Sequence, residues 1–69
     1  MEIRLDHFDR EIIRVLGNIG ESNTNEIADN LKISWVTALL HLKKLKSMRY
    51  VSSHKEKTIL FWKLKYSVQ

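Results

Sequence analysis

Apolar residues recur at helical spacing along most of the chain and alternate with polar residues near its carboxyl end. In the first stretch the apolar positions are Phe8, Ile12, Val15, Leu16 and Ile19. Intervals of three and four residues place these side chains on one face of a helix, which predicts a core helix over about residues 6–17. Asp6 is a suitable N-cap, and the helix should end between Gly17 and Gly20, which tolerate positive φ.

A short second helix is predicted over residues 24–31. Asn23 and Glu26 have the spacing of a capping box, in which each side chain accepts a hydrogen bond from the other residue's backbone amide. The apolar positions Ile27, Ala28 and Leu31 form a narrow stripe. Such a stripe favours packing in a corner between two longer helices.

A third and longer helix is predicted over about residues 34–49, where Ser34 is a good N-cap and neither glycine nor proline interrupts the chain. At about 100° per residue, two sides separate. The side predicted to pack carries Ala38, His41, Leu42 and Leu45. The side predicted to face outward carries Val36, Leu40, Lys43, Lys44 and Ser47.

After residue 50 the period changes to alternation, which predicts a two-stranded hairpin over about residues 50–66. Leu60, Trp62 and Leu64 share one face of the second strand, and we expect that face to meet the core. Trp62 is therefore interpreted as a core anchor rather than a base-stacking surface. The loop lacks glycine and Asn-Gly, so four or five residues are expected rather than a tight turn, with Lys55 and Lys57 at its tip.

Charge is distributed unevenly along the 69 residues, although the net charge is only +4. Residues 1–40 carry four basic and seven acidic side chains, a net −3, whereas residues 41–69 carry eight basic and one acidic, a net +7. A fold in which residues 41–69 face a polyanion and residues 1–40 support them would explain this asymmetry. A solvated charged surface would explain it as well. A chain of this length allows one domain, over residues 1–69.

Composition argues against several classes of function. Without cysteine, disulfides and thiolate zinc sites are excluded. His7, His41 and His54 are scattered and have no second ligand at suitable spacing, so no metal site is expected. With no nucleophile and base pair and no phosphate-binding glycine loop, we expect neither an enzyme nor a cofactor. An acidic amino end and short apolar runs predict a soluble cytoplasmic protein without a membrane span.

The order of helix, short helix, turn, long helix and basic hairpin is similar to that of a winged helix-turn-helix domain. The segments LDHFDREIIRVL, NEIADNLKIS and HLKKLKSMRYV resemble the three helices of the leucine-responsive, arsenic-repressor and multiple-antibiotic-resistance regulator families. The resemblance covers nearly the whole chain. It implies an α+β, mainly α fold of three helices with a carboxyl-terminal hairpin wing, and a small transcriptional regulator that binds double-stranded DNA.

By position, the resemblance implies a recognition helix in the major groove and a basic wing on the DNA backbone or in a minor groove. The candidate DNA contacts are Ser34, Trp35, Val36, Thr37, Leu40, Lys43, Lys44, Ser47, Lys55 and Lys57. Lysines supply affinity through phosphate neutralisation, and few hydrogen-bond donors are directed at bases. We therefore expect a homodimer on a two-fold site to raise the modest specificity of one copy.

Two departures from the family pattern bear on this prediction. Arg49 stands where these families place a glycine, so the third helix is expected to end less sharply or to continue for a turn. The positions Trp35, Val36, Leu39 and Leu40 are more apolar than a surface that reads a DNA groove. An exposed apolar patch of this kind indicates an alternative function, a winged-helix module that binds protein within a larger complex.

The segment ILFWKL also resembles the wing of winged-helix domains that bind left-handed nucleic acid in some RNA-editing deaminases. Trp62 matches the tryptophan of that wing. The prolines before it are replaced by Ile59 and Leu60, and the asparagine and tyrosine of the recognition helix by Leu39 and Lys43. These replacements argue against that specialised activity.

Overall fold

The computed structural model describes residues 4–65 as three helices and three strands. The elements are α1 (His7–Ile19), β1 (Glu21–Asn23), α2 (Thr24–Leu31), α3 (Trp35–Ser47), β2 (Val51–Glu56) and β3 (Ile59–Leu64). The strands form one antiparallel sheet in the order β1-β3-β2. This is the α+β, mainly helical architecture that the sequence predicted; residue 66, the predicted end of the hairpin, lies outside the described residues.

Helix starts follow the capping side chains named from the sequence. The Asp6 carboxylate accepts from the Asp9 amide at 2.9 Å, and the Asp9 carboxylate accepts from the Asp6 amide at 3.0 Å. The Asn23 side chain accepts from the Glu26 amide at 2.8 Å in the second capping box. Ser34 caps α3 by accepting from the amide of the third helical residue at 3.1 Å. Local hydrogen bonding thus fixes where each helix begins.

Helix ends depend on residues in the left-handed region. α1 continues to Ile19, two residues past the predicted end, and stops at Gly20 with φ 86°, between the two glycines as expected. α3 stops at Ser47, because Arg49 adopts φ 67° and its amide donates to the Lys46 carbonyl at 3.0 Å. The expectation that Arg49 would let the helix run on is therefore wrong.

Replacing Arg49 with glycine should stabilise the fold. A residue with a Cβ atom pays a steric cost in the left-handed region that glycine does not, so Arg49→Gly should raise the free energy of unfolding by about 0.5–1 kcal/mol. Urea denaturation of both proteins measures the change. Arg49→Ala is the matched control, since it removes the same side chain but keeps the strain. Equal stability of the two variants would rule out backbone strain at this position.

The sheet contains a strand and a turn that the sequence did not predict. β1 pairs with β3, with Ser22 opposite Trp62, so the predicted two-stranded hairpin is part of a three-stranded sheet. Glu56 pairs with Ile59, leaving a two-residue connection instead of the expected four or five. The tight turn forms because Lys57 adopts φ 57°, a conformation that the residue type does not signal.

The core lies where α1, α2 and α3 meet the sheet. Its buried side chains are Ile12, Leu16, Ile27, Leu42, Leu45, Val51 and Trp62. Trp62 is 1% exposed, and its indole N–H donates to the Thr24 hydroxyl at 2.9 Å. The interpretation of Trp62 as a core anchor is confirmed. Ile19, expected on the buried face of α1, is instead half exposed in the last turn of that helix.

Candidate nucleic-acid interface

The outward side of α3 carries most of the DNA contacts that the family resemblance implies. Val36 and Leu40 are 58% and 64% exposed, and Lys43 and Ser47 are exposed on the same side. Leu42, on the opposite side, is fully buried. The helix therefore separates a packed face from a free face as its periodicity predicted.

Hydroxyl groups at the two ends of this helix are engaged within it. The Ser34 hydroxyl accepts from the Thr37 amide and donates to the Thr37 hydroxyl at 2.8 Å. The Ser47 hydroxyl donates to the Lys44 carbonyl at 2.7 Å. Of these three candidate contacts, only the Thr37 hydroxyl keeps a proton free to donate outward. The outward side of α3 thus presents mainly hydrocarbon, with Lys43 as its charged group.

Lys44 departs from the predicted outward orientation. Its ammonium lies 2.5 Å from the carboxylate of Asp9, which is fully buried, and 3.8 Å from that of Asp6. Lys44 lies one turn after His41 on α3, so it borders the packed side and reaches α1. The prediction of a free lysine at this position is corrected: Lys44 holds α3 to α1.

Asp9 joins two helices through the same carboxylate. His41 Nδ1 lies 2.8 Å from Asp9 Oδ1, while Lys44 approaches Oδ2. Burial alone would raise the pKa of Asp9, but hydrogen bonds from Lys44, the Asp6 amide and His41 outweigh it and bring the pKa below its ordinary 3.8. The hydrogen bond to Asp9 correspondingly raises the pKa of Lys44. Asp9 is therefore ionised at neutral pH and forms a charged link between α1 and α3.

This link also gathers Asp6, Asp9 and His41 within 4.8 Å of one another. No carboxylate lies at ligand spacing from His41 along the sequence, because only tertiary packing brings His41 to the capping box of Asp6 and Asp9. The Lys44 ammonium already occupies the position next to both carboxylates. The described geometry thus makes Lys44 the cation that this cluster holds.

Two basic candidates remain at the tip of the wing: Lys57 lies in the turn, whereas Lys55, predicted in the loop, lies in β2. Lys55 and Lys57 are exposed on either side of Glu56. A groove runs from the turn to α3, and its walls include Trp35, Leu39 and Lys43 on one side. Its other lining residues are Asn23, Thr24, Asn25, Thr58, Ile59 and Leu60. The groove brings Trp35 and Lys43 next to the wing and continues from the outward side of α3.

The groove residues of α2 and the wing were missing from the predicted contacts. Asn23 was interpreted only as part of a capping box, and neither Asn25 nor Ile59 was among the candidate DNA contacts. The signal available in the sequence was Leu39, which lies one turn from both Trp35 and Lys43 and is unusually apolar for a surface that reads DNA.

Among the helices of residues 4–65, none has the length and apolar character that a membrane span requires.

Comparison with known proteins agrees with this geometry. A family model described as winged helix-turn-helix DNA-binding matches residues 5–52. Such a description concerns DNA binding and not catalysis, in accord with the expectation of a non-enzymatic protein. No curated protein sequence matches the chain.

Several solved structures share the fold. The Zα domain of Carassius auratus PKZ, solved in complex with Z-DNA, is 30% identical over 83% of this chain and 90% of that domain, with a TM-score of 0.76. A variant of Lactococcus lactis ZitR is 25% identical over 93% of this chain, with a TM-score of 0.81, but this chain spans only 45% of ZitR.

A third neighbour is the homodimeric winged helix-turn-helix DNA-binding domain Mb0332 of Mycobacterium bovis, described as a possible ArsR-family transcriptional regulator. It is 24% identical over 88% of this chain and 56% of that chain, with a TM-score of 0.82. At this identity the likeness concerns the fold alone. Mb0332 therefore supports the predicted winged helix-turn-helix fold.

Proposed function

The chain belongs to the winged helix-turn-helix DNA-binding family, and from this premise we propose that it binds double-stranded DNA in a sequence-dependent manner as a small transcriptional regulator. The observation that carries the proposal is the exposed side of α3, where Val36, Leu40 and Lys43 face away from the core to which Leu42 belongs. A helix anchored on one side and free on the other can enter the major groove.

In this mode α3 lies in the major groove and Ser34, at its amino end, lies near a phosphate. Lys43 and the wing lysines, Lys55 and Lys57, neutralise backbone phosphates and release counterions. Lys44 acts differently, since its ammonium is held by Asp9 and fixes the angle of α3 against α1. Ser47, Trp35 and Thr37 complete the proposed contact surface.

A homodimer would give this small surface its specificity. Two copies related by a two-fold axis place their recognition helices on half-sites about 34 Å apart, one turn of duplex. Occupation of such a site would hinder or recruit the polymerase at a promoter. Solution mass, measured with and without a two-fold duplex, tests the stoichiometry: two chains per duplex are expected.

Lys43→Ala and Lys57→Ala should each weaken binding to a mixed-sequence duplex. Each removed phosphate contact should reduce the slope of log affinity against log salt by about 1, nearly independently of DNA sequence. Fluorescence anisotropy of a labelled duplex, titrated at several salt concentrations, measures both the affinity and the slope. Arg10→Ala, which removes one positive charge from the exposed side of α1, is the matched control and should leave the slope unchanged.

Equal effects of all three substitutions would contradict the assignment of α3 and the wing, because net charge alone would then explain binding. Lys44→Ala should be kept separate, since it also removes the ion pair with Asp9. A tight partner complex that barely responds to salt, without duplex binding, would instead favour the alternative of a protein-interaction module in a larger assembly.

Left-handed duplex is a second candidate ligand, raised by the similarity to the Zα domain solved with Z-DNA. The side chains favour right-handed DNA. Trp62 is buried and donates to Thr24, so it has no edge to offer a ligand, and Leu39 and Lys43 stand where the resemblance places asparagine and tyrosine. Circular dichroism of an alternating CG duplex decides between them: inversion of the spectrum on adding protein would favour the left-handed form.

A further inference from the structure

The apolar character of the outward side of α3 has a specific counterpart in DNA. Val36 and Leu40 are the most exposed large apolar side chains of the described residues, and they lie one helical turn apart. In the major groove of right-handed DNA, the C5 methyl of thymine is the apolar group that base edges present. We propose that Val36 and Leu40 read thymine methyl groups, an inference that rests on the duplex binding proposed above and names the bases it selects.

Spacing supports a pair of contacts. Side chains four residues apart on a helix have Cβ atoms about 5–6 Å apart. Successive bases on one strand are about 3.4 Å apart along the duplex axis, so the two side chains span one to two base steps. Val36 and Leu40 therefore fit methyl groups on neighbouring or next-neighbouring A·T pairs.

Few hydrogen-bond donors of α3 are available to contact bases, so base recognition depends mainly on the apolar side chains. The Ser34 and Ser47 hydroxyl protons are donated within α3, to Thr37 and to the Lys44 carbonyl. Lys44 is held by Asp9, so Lys43 is the charged group on this side of α3. Donation of hydrogen bonds to bases is thereby left to the Thr37 hydroxyl, the Lys43 ammonium and the indole N–H of the half-exposed Trp35, whereas hydrocarbon covers most of the outward side.

Charge around the patch identifies a polyanion as the ligand that carries the methyl groups. The described residues lining the adjoining groove include Lys43 and no carboxylate. Exposed Lys32 at the turn before α3 and Lys55 and Lys57 on the wing add positive charge. An apolar center with a cationic surround complements a thymine-bearing strand between phosphates.

Paired duplexes test the inference with a single chemical change. One duplex contains thymine and the other uracil at every thymine position, so that base pairing, acceptors and phosphate charge stay the same and only methyl groups are lost. We expect roughly fourfold weaker binding for each methyl that loses a side-chain contact. Anisotropy titrations of both duplexes with the full chain measure the ratio.

The Leu40→Ala variant, measured with both duplexes, completes a double-mutant cycle. The cycle distinguishes a direct contact between the side chain and a methyl group from an effect of the methyl groups on DNA shape. The side chain is largely exposed, so the variant should fold as the wild type does, which circular dichroism verifies. It should bind the thymine duplex more weakly and show a smaller thymine-to-uracil ratio than the wild type. Equal affinity of the wild type for both duplexes, or an unchanged ratio in the variant, would overturn methyl reading. Failure to bind any duplex would instead refute the proposed function itself.

Discussion

The Asp9→Ala variant should lose most of its folded population at 25 °C. The substitution removes half of a capping box and takes from His41 and Lys44 their nearest carboxylate, leaving only the more distant Asp6. These losses together should cost about 3 kcal/mol. A core of this size supplies only about 3–5 kcal/mol in total. Urea denaturation followed by far-ultraviolet circular dichroism measures the loss.

Asp6→Ala is the matched control, because it removes the other half of the same capping box but leaves Asp9 buried and paired. Its expected cost is about 1 kcal/mol, typical of a lost N-cap. Similar costs for the two variants would contradict the role of Asp9 as a link between α1 and α3 and would reduce it to a cap.

Acid should weaken the same link. The pKa of Asp9 is lower in the folded protein than its ordinary 3.8, so its contribution to stability is complete above that value and disappears as pH falls through the folded pKa. The urea concentration at the midpoint of unfolding should therefore decrease as the pH is lowered below about 4. Asp9→Asn, which cannot titrate there, should lose that part of the pH dependence.

Trp62→Ala should be as damaging, for a different reason. The indole is the largest fully buried side chain of the described residues, and truncating such a side chain to alanine costs about 3–5 kcal/mol. It also leaves the Thr24 hydroxyl without its donor, so the junction of α2 and β3 loses both packing and a hydrogen bond. Thermal melting measures the expected loss of cooperative unfolding.

The chain supplies its own control for Trp62. Trp35 is 48% exposed at the start of α3, so Trp35→Ala should change the free energy of unfolding by well under 1 kcal/mol. Comparable destabilisation by the two substitutions would mean that Trp35 is also a core residue, and the proposed groove between α3 and the wing would then be misassigned.

Local signals explain what the sequence could predict. Capping side chains such as Asp6, Asn23 and Ser34 act within three residues of their partners, so helix starts can be located without tertiary information. Periodicity then assigns the buried Leu42 and Trp62 and the exposed Val36 and Leu40. Both signals depend only on residues that are close together in the sequence.

The features that the sequence could not predict depend mostly on contacts between residues that are far apart in the chain. β1 is recognisable only through its partner strand, since Glu21 to Asn23 have no strand preference of their own. Lys44 looked free because Asp9, its partner, lies on another helix far back in the chain. The left-handed conformations of Arg49 and Lys57 also carry no signal in residue type, as glycine usually marks such positions.

The ion pair of Lys44 with Asp9 changes which residues of α3 are available to the proposed DNA interface. Of the two adjacent lysines of α3, Lys44 orients the helix through Asp9, and Lys43 is left for the proposed DNA contact. The apolar patch that raised the alternative of a protein-binding module adjoins a groove containing Lys43, which suits a polyanion that carries methyl groups. Stability and recognition are thus divided between the two sides of α3.

Backbone amide chemical shifts, followed by nuclear magnetic resonance during titration with a thymine-containing duplex, test most directly whether the outward side of α3 contacts DNA. We predict that the largest changes fall on residues 34–43, at the start of α3, and on the tip of the wing at Lys55 and Lys57, with α1 little affected. Changes concentrated on α1 and β1, or no changes at duplex concentrations that saturate the anisotropy signal, would contradict the account.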